Sequence, residues 1–397
     1  MIKPIKKQKS LIVSMKVFKI AYVINHLSFF YSHIMPHALE AKKKGYDIKV
    51  FCGNSVSQSS DKFAKRQLVI NKINFQNCNF DSVSLNPIKD IFALFRIFSE
   101  LKKFKPDIVH ITTPKAQIFG GIVSRFLEIR AIIVFISGMG YLFSNDLNFL
   151  EKIYKKIFFI IQSYIFKFKN LKIIVENKYD YKYFLNSFLL KKNQITIIKG
   201  SGVDLKKFKK IITNKNKVIL LPARVVKEKG IIEFIKASRL LKKYQYKFVV
   251  AGSLDYAKSS GFKKDELNQF NFDGAVKFIG NQSNIYKILK RTLIVCLPSY
   301  REGLPKSLCE AAACGIPIVA TRSVGCTEVV KAGFNGELCK IKDHYSLAAK
   351  IEKLILKPKL RLMYGKNSII YAKKNFDIKL ISKKIINIYN ELLNYGK

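Results

Sequence analysis

The sequence predicts an α/β protein of two domains, each built around a parallel β-sheet with helices on both faces. Short apolar runs bounded by polar turns alternate with longer segments of helical period, which is typical of βαβ units. The runs are apolar throughout rather than alternating, as expected of strands that helices cover on both faces. A length of 397 residues allows about two or three domains at roughly 100–200 residues each.

The predicted strands form two series that follow each other along the chain. The first series comprises residues 18–24, 47–51, 107–111, 131–136, 172–175 and 195–198. The second series comprises residues 218–221, 247–251, 276–279, 293–297, 318–320 and 336–339. Between them lie the glycine-bearing segment 200–204 and the basic stretch 206–217, which predict a domain boundary near residue 200.

The last predicted element is a closing helix over residues 377–394. Apolar residues recur there at helical spacing, and no predicted strand follows them. The members of this apolar stripe are Ile378, Ile381, Ile385, Ile388, Tyr389 and Leu392.

The charge balance is strongly basic, with 72 Lys+Arg against 27 Asp+Glu and a formal net charge of +45 at pH 7. A field of this size attracts polyanions. The excess is spread over both halves of the chain, and the sequence is also rich in Ile, Asn, Phe and Tyr and has no Trp. A compositional bias toward Lys together with an anionic membrane surface is therefore favoured over nucleic acid, for which no binding module is recognised.

Cysteine usage and apolar runs indicate a cytoplasmic protein that does not span a membrane. The seven cysteines form no CxxC pair and no metal-ligand spacing, which suits reduced thiols. Lys16 and Lys19 interrupt any apolar signal segment, so no export is expected. Residues 157–168, the longest apolar stretch, reach about half the roughly 20 residues of a spanning helix. Residues 148–170 suit either a membrane-surface helix or a helix that covers the first sheet.

The segment 299–310, SYREGLPKSLCE, directly follows the predicted strand 293–297. A strand, a glycine turn and a helix-forming run aim backbone N–H groups at an anionic or hydroxylated ligand. Glu302 and Glu310 place one carboxylate in the turn and the other on the helix. Their spacing alone favours two surface glutamates that fall there by chance, but the intervening Gly303 and Pro305 and the second loop 323–328 favour one shared cleft.

A second candidate group, Arg224 and Lys229, leaves the first strand of the second series and precedes Gly230. A guanidinium offers a planar fork to phosphate oxygens and an ammonium offers a mobile point charge, so together they suit a diphosphate. In a chain this basic, the spacing alone favours a chance pair.

These segments together resemble the donor half of the retaining family 4 glycosyltransferases. The motifs agree in order and spacing: Arg224 with Lys229-Gly230, residues 299–306 with Glu310-Ala311, Gly315-Ile316-Pro317, and Gly325-Cys326-Thr327-Glu328. The segment 200–204 with Phe208 also matches the interdomain segment of that family. The family has the GT-B fold, in which two Rossmann-like domains face a cleft. The resemblance therefore implies an acceptor domain over residues 1–199, with helix 378–397 packing back on it, and a nucleotide-sugar donor domain over residues 200–377.

The resemblance also implies roles for individual residues. The catalytic set would be Arg224 and Lys229, which hold the donor diphosphate, together with Glu302, which positions the transferred sugar. The donor-binding set would comprise Gly303, Leu304, Pro305, Lys306 and, on the ribose hydroxyls, Glu310. Cations that stabilise charge growing on the β-phosphate lower the barrier more than they stabilise the ground state. Enzymes of this type are thought to use the departing phosphate as base, and the sequence has no DxD motif, so no metal or other cofactor is expected.

Three further residues are candidates for the acceptor side of the cleft. Residues 25–36 resemble the first strand–loop–helix of a branch that builds bacterial surface polysaccharides, and His33 suits either a helix histidine or a cleft residue. Lys115 follows a predicted parallel strand, where ligands of such folds bind, and suits either an acceptor phosphate or one of many surface lysines. Gly138 lies in the loop 137–141, which has serine at 137 where many relatives carry histidine.

The resemblance thus implies a retaining transferase that moves a sugar, plausibly an N-acetylhexosamine, from a UDP-sugar to a polyprenyl-diphosphate-linked saccharide. The expected location is the cytoplasmic face of the membrane, as a peripheral protein. Two alternatives stay open at this point. One is a sugar-nucleotide epimerase or phosphorylase of the same fold, and the other is a noncatalytic polyanion-binding protein.

Overall fold

The computed structural model describes residues 16–55, 58–81, 86–138, 149–211, 217–254 and 261–395. It confirms the predicted α/β architecture with two sheets, and every strand pairing within these ranges is parallel. The first sheet has the strand order β3-β2-β1-β4-β5-β6-β7 and the second β10-β9-β8-β11-β12-β13.

Strands β1 to β7 belong to the first sheet: Lys19–Ile24, Asp47–Asn54, Asn74–Asp81, Ile108–Thr112, Ala131–Ile136, Leu171–Val175 and Ile195–Ile197. Strands β8 to β13 belong to the second: Val218–Leu221, Lys247–Val250, Val276–Phe278, Thr292–Leu297, Ile318–Thr321 and Gly336–Cys339. Eleven of the twelve predicted strands agree with these bounds to within one residue at each end, and the remaining one, 47–51, extends to Asn54.

Helices cover both faces of each sheet. The first seven are α1 to α7: Leu27–Phe29, Met35–Lys43, Gln58–Ile70, Pro87–Phe104, Pro114–Phe126, Phe149–Phe166 and Lys178–Ser187. The next seven are α8 to α14: Ile231–Leu240, Lys264–Phe270, Ile285–Leu289, Lys306–Ala313, Cys326–Val329, His344–Leu356 and Pro358–Asn375. The last is α15, Ile378–Asn394. A π-helical turn, Phe30–Ile34, separates α1 from α2.

The strand β3 was not predicted from the sequence. Its residues, Asn74–Asp81, are mostly polar, and only Cys78 and Phe80 are buried. It lies at the edge of the first sheet and pairs with β2 alone, so one side of it faces away from the sheet. An edge strand needs no continuous apolar run, and the rule of fully apolar strands therefore fails here.

The order of the strands creates one switch point in each sheet. In the first sheet the chain runs outward from β1 in one direction and from β4 in the other, and β8 and β11 are the equivalent pair in the second sheet. Loops that leave the carboxyl ends of such neighbouring strands diverge and open a crevice, which is where open α/β sheets bind ligands.

Helix α15 returns to the first sheet after α14 has packed on the second. Ile381, Ile385 and Tyr389 belong to the same apolar core as β1 and α2, whereas Tyr364 and Ala372 of α14 belong to the core of the second sheet. The chain therefore passes between the sheets twice. The two passages pair side by side: Val203 N–H donates to Phe376 O at 2.7 Å, and Ile378 N–H donates to Val203 O at 3.1 Å.

The seven cysteines are all buried and reduced. None of the helices in the described ranges combines the length and the apolar character needed to cross a bilayer.

Candidate active site

Lys229 is held in a short 3-10 turn, Lys227–Lys229, that follows β8. Gly230 ends this turn with φ of +72°, and a Cβ placed on it would lie 2.3 Å from Pro298 O at the end of β11. Only glycine combines that backbone conformation with so close an approach. The sequence Lys229-Gly230 thereby brings the lysine against the loop of the neighbouring strand at the switch point.

The Lys229 ammonium pairs with the Glu302 carboxylate, at 2.5 Å between Nζ and Oε1, and the two side chains are only 15% and 12% exposed. The backbone fixes this pairing, because Glu228 O accepts bonds from Tyr300 N–H (2.9 Å) and from the Ser299 hydroxyl (3.1 Å). Two members of the predicted catalytic set thus lie in contact. The third, Arg224, is exposed in the same β8–α8 connection.

The loop Gly303–Pro305 leads into α11, whose first residue is Lys306 and whose second turn carries Glu310. Lys306 and Glu310 interact electrostatically, and burial raises the pKa of Glu310 although nearby Lys306 and Lys207 lower it. Both side chains line a groove of about 1570 Å³ between the two sheets. The groove is also lined by Phe208, Gln282, Ser283 and Ile285. A cation, a carboxylate and apolar side chains in one groove can accept a nucleoside and its phosphates.

Lys306 reaches across the cleft to the first domain, where its ammonium donates to Ser32 O. The neighbouring His33 lies in the π-helical turn, stacks on Phe29 with ring centroids 4.2 Å apart, and contacts the Ser32 hydroxyl through Nδ1 at 2.7 Å. Burial and the charge of Lys306 lower the pKa of His33, which favours the neutral imidazole. The structure therefore places His33 both in a helical segment and beside the predicted donor-binding lysine.

Gly138 follows β5 and faces Gly303 across the cleft. Gly138 has φ of +97°, and a Cβ on it would lie 2.9 Å from both N and Cα of Gly303. The two backbones thus touch without side chains between them. The remainder of the predicted loop, residues 139–141, lies outside the described residues.

Lys115 has a different environment from that of a surface lysine. It is the second residue of α5, which follows β4; it is buried and pairs with Asp90 of α4 at 2.7 Å. Its charge is thus balanced within the first domain. A role at an acceptor phosphate stays a prediction.

A polar group of the first domain that was not predicted from the sequence lies directly against the donor loop. Glu176, Asn177 and Asp180 follow β6, and all three are buried. Asn177 Nδ2 donates to Gly303 O at 3.0 Å, and Asp180 pairs with Arg301 at 3.4 Å. The signal that could have found them was the run Glu-Asn-Lys-Tyr-Asp directly after an apolar strand, at the sheet edge where ligands bind.

Two family models match this chain, one on each sheet. Residues 19–171 match "Glycosyl transferase 4-like", and residues 202–370 match "Glycosyl transferases group 1". The second match includes Arg224, Lys229, Glu302 and Glu310. The chain belongs to the family 4 glycosyltransferases. This glycosyltransferase also has the GT-B fold that the sequence analysis expected.

Relatives of this glycosyltransferase include enzymes of lipid-linked saccharide assembly. The N,N'-diacetylbacillosaminyl-diphospho-undecaprenol alpha-1,3-N-acetylgalactosaminyltransferase of Campylobacter jejuni is 29% identical over 79% of this chain and 85% of its own length. The UDP-Gal:alpha-D-GlcNAc-diphosphoundecaprenol alpha-1,3-galactosyltransferase of Escherichia coli is 24% identical over 78% and 82%. Among solved structures, Anabaena Alr3699/HepE in complex with UDP and glucose superposes with a TM-score of 0.76 at 18% identity, over 94% of this chain and 100% of that one.

Proposed function

We propose that this glycosyltransferase is a retaining enzyme that moves an N-acetylhexosamine from a UDP-sugar to a polyprenyl-diphosphate-linked saccharide. The observation that carries the proposal is the Lys229–Glu302 pair at the switch point of the second sheet. A cation and a carboxylate at this point suit the two halves of the donor, its diphosphate and its sugar. The diphospho-undecaprenol named for the Campylobacter and Escherichia relatives supports the acceptor class.

In the proposed reaction, the bond between the anomeric carbon and the β-phosphate oxygen breaks, and UDP leaves with the electron pair. Arg224 and Lys229 stabilise the charge that grows on the β-phosphate, and Lys229 exchanges its Glu302 partner for a phosphate oxygen. The acceptor hydroxyl attacks the same face of the sugar, and its proton passes to the departing phosphate. Same-face attack retains the configuration of the anomeric carbon.

Ligand-induced thermal stabilisation tests the nucleotide. UDP at 100 times its Kd should stabilise the folded protein by about 2.7 kcal/mol, whereas GDP at the same concentration should leave the Tm nearly unchanged. Stabilisation by GDP alone would contradict a UDP-sugar donor.

The stereochemistry and the absence of a metal requirement need a transfer assay. With UDP-N-acetylhexosamine and a short polyprenyl-diphosphate-linked saccharide, NMR of the product should show the α-linkage of the donor, and EDTA should leave the rate unchanged. A β-linked product would contradict retention. A complete loss of activity in EDTA that Mn²⁺ restores would contradict metal-independent transfer.

Attachment to the inner face of the cytoplasmic membrane is the second part of the proposal, and it is supported by a face that we term the basic–apolar face. Helices α4 and α6 flank α5 on one side of the first sheet and expose large apolar side chains together with basic ones. The apolar members are Ile88, Ile91, Phe92, Phe95, Phe149, Ile153, Ile157 and Ile160, and the basic members are Lys89, Arg96, Lys152 and Lys156. Aromatic and aliphatic groups interspersed with Lys and Arg suit the interface of an anionic bilayer.

Vesicle partitioning tests this face. The variant Phe92→Asp/Phe95→Asp should bind vesicles that contain anionic lipid at least about tenfold more weakly than the wild type, which corresponds to about 1.4 kcal/mol. Phe272→Asp, at an equally exposed phenylalanine of the second domain, is the matched control and should bind as the wild type does. Equal partitioning of all three proteins would contradict membrane attachment through this face.

A further inference from the structure

Glu176 and Asn177 are buried polar residues of the first domain whose hydrogen-bond partners lie partly in the second domain. They directly follow β6, and they are 3% and 1% exposed. Buried polar side chains need hydrogen-bond partners, because an unpaired buried group is destabilising. Two of the hydrogen-bond partners of these residues, Gly303 O and Leu304 N–H, belong to the second domain.

The contacts converge on one peptide group of the donor loop, the group that joins Gly303 to Leu304. Asn177 Nδ2 donates to Gly303 O at 3.0 Å, and the Glu176 carboxylate accepts the N–H of Leu304. A Cβ placed on Gly303 would lie 2.5 Å from Oε2 of Glu176, so the carboxylate contacts the glycine backbone directly. Asp180 extends the contact to Arg301, and Asn177 also holds Asp180 at 2.8 Å.

Glu302 lies in the middle of this contacted segment. Its own N–H donates to Val324 O at 3.0 Å within the second domain, and its carboxylate pairs with Lys229. The residues on either side of it, Arg301 and Gly303, are held by the first domain. The first domain therefore holds a side chain just before Glu302 and a peptide group just after it, which limits how the backbone at Glu302 can turn.

We propose that Glu176 and Asn177 are positioning residues, which set the backbone of Gly303 and Leu304, and through it Glu302, when the two domains close over the donor. This inference rests on the proposed function, since it assigns Glu302 to the transferred sugar. The contact needs an acceptor at position 176 and a donor at position 177, and it needs no negative charge at either.

Three substitutions separate positioning from folding. Glu176→Ala removes the acceptor, whereas Glu176→Gln keeps it. Asn177→Ser removes the donation to Gly303 O and keeps a side chain that can cap α7, as Asn177 now does by accepting from Asp180 N–H. Lys178→Ala, at the adjacent exposed residue, is the matched control.

We expect Glu176→Ala and Asn177→Ser to lower kcat at least about tenfold. Their Kd for UDP should stay within about twofold of the wild type, because the nucleotide-binding residues all lie in the second domain. Glu176→Gln and Lys178→Ala should keep at least about half of the wild-type kcat. Wild-type kcat in the first two variants, or a loss of UDP affinity that parallels the loss of kcat, would overturn the proposal.

Small-angle scattering gives a readout that does not depend on transfer. With saturating UDP, the two disruptive variants should have a larger radius of gyration than the wild type and Glu176→Gln, since the domains lose contacts that hold them closed. If the wild type transfers no sugar, the proposed function fails while scattering still decides the contact. An unchanged radius of gyration in both disruptive variants would then overturn it.

Discussion

Lys229 lies where two loops meet with almost no room between them. Gly230 permits the turn, Glu228 O binds the facing strand end, and Glu302 neutralises the ammonium. A cation whose partner is a carboxylate of the same site can change partner when a phosphate arrives, because both partners are anionic oxygens. This arrangement supports the role at the donor diphosphate that we propose for Lys229.

Lys229→Ala should lower kcat at least about tenfold, because charge on the leaving β-phosphate loses roughly 1.4 kcal/mol or more of stabilisation. Steady-state kinetics with the donor measure this effect. Lys227→Ala, two residues away, is the matched control, since its ammonium pairs with Glu266 on the surface at 2.7 Å. Equal kinetics of the Lys229 variant and the wild type would remove the lysine from the reaction.

Gly138→Ala tests the backbone contact across the cleft. The new methyl group would collide with N and Cα of Gly303, so the donor loop must move and kcat should fall at least about tenfold. Gly274→Ala is a matched control, because Gly274 also has a positive φ (+63°) but a methyl group added there would meet nothing within 4 Å beyond its chain neighbours. The kinetics of the two variants should differ. A similar loss in both would assign the effect to backbone strain rather than to contact with Gly303.

At the scale of single elements, α15 is held to the first sheet by polar as well as apolar contacts. Tyr389 of this helix contacts His110 Nδ1 of β4 at 2.7 Å and the hydroxyl of Tyr22 of β1 at 3.2 Å. The three side chains are buried together. A terminal helix that shares a buried hydrogen-bond network with two strands belongs to the domain it packs on.

Tyr389→Phe should lower the free energy of unfolding by about 1–3 kcal/mol, because it leaves the buried His110 nitrogen without its hydroxyl partner. Urea denaturation measures the change. Tyr395→Phe, at a half-exposed tyrosine just beyond α15, should change it by less than about 0.5 kcal/mol. Equal destabilisation by both substitutions would show that the buried hydroxyl contributes nothing.

Which elements could be predicted follows from where they lie in the sheets. Fully covered strands such as β5 and β11 are continuous apolar runs, so their sequence alone predicts them. The edge strand β3 is mostly polar and shows no regular alternation of buried and exposed residues. Its pairing with β2 makes it a strand. Tertiary pairing is absent from any local pattern, which explains this miss.

At the scale of the whole molecule, buried histidines couple the fold to pH. Burial lowers the pKa of both His37 and His110 from near 6.5 to about 3. The unfolded chain binds protons on these rings below pH 6.5, and the folded protein does so only near pH 3. The contribution of these histidines to stability should therefore fall as the pH drops from about 6.5 toward 3, by up to about 1.4 kcal/mol per pH unit for each histidine.

Urea midpoints at pH 7.5, 5.5 and 4.5 measure this dependence. His37→Asn should flatten the slope relative to the wild type between pH 6.5 and 4.5, because it removes one of the histidine titrations that burial suppresses, which are those of His33, His37 and His110. Parallel slopes for wild type and variant would contradict a neutral, buried His37.

The site was predictable only where its residues are local in sequence. Residues 299–310 predict a loop followed by the start of a helix, and Glu302 and Glu310 could be named from them as candidate site residues. The partners of that loop could not, because Glu176 and Asn177 lie more than a hundred residues earlier and meet it only through the docking of two domains. The ion pair of Lys115 with Asp90 was equally out of reach, since the position of Lys115 after β4 does not indicate its partner on α4.

The two passages of the chain between the domains pair at Val203 and Asp377, and we expect this pair to act as a hinge. Because the two passages lie side by side, they resist twisting of one domain against the other. They allow rotation about the hinge, which opens the cleft on the opposite side. This rotation separates three contacts across the cleft: Lys306 with Ser32, Gly138 with Gly303, and Asn177 with Gly303. We expect one rotation to let the product leave and a new donor enter, since it breaks and re-forms all of these contacts.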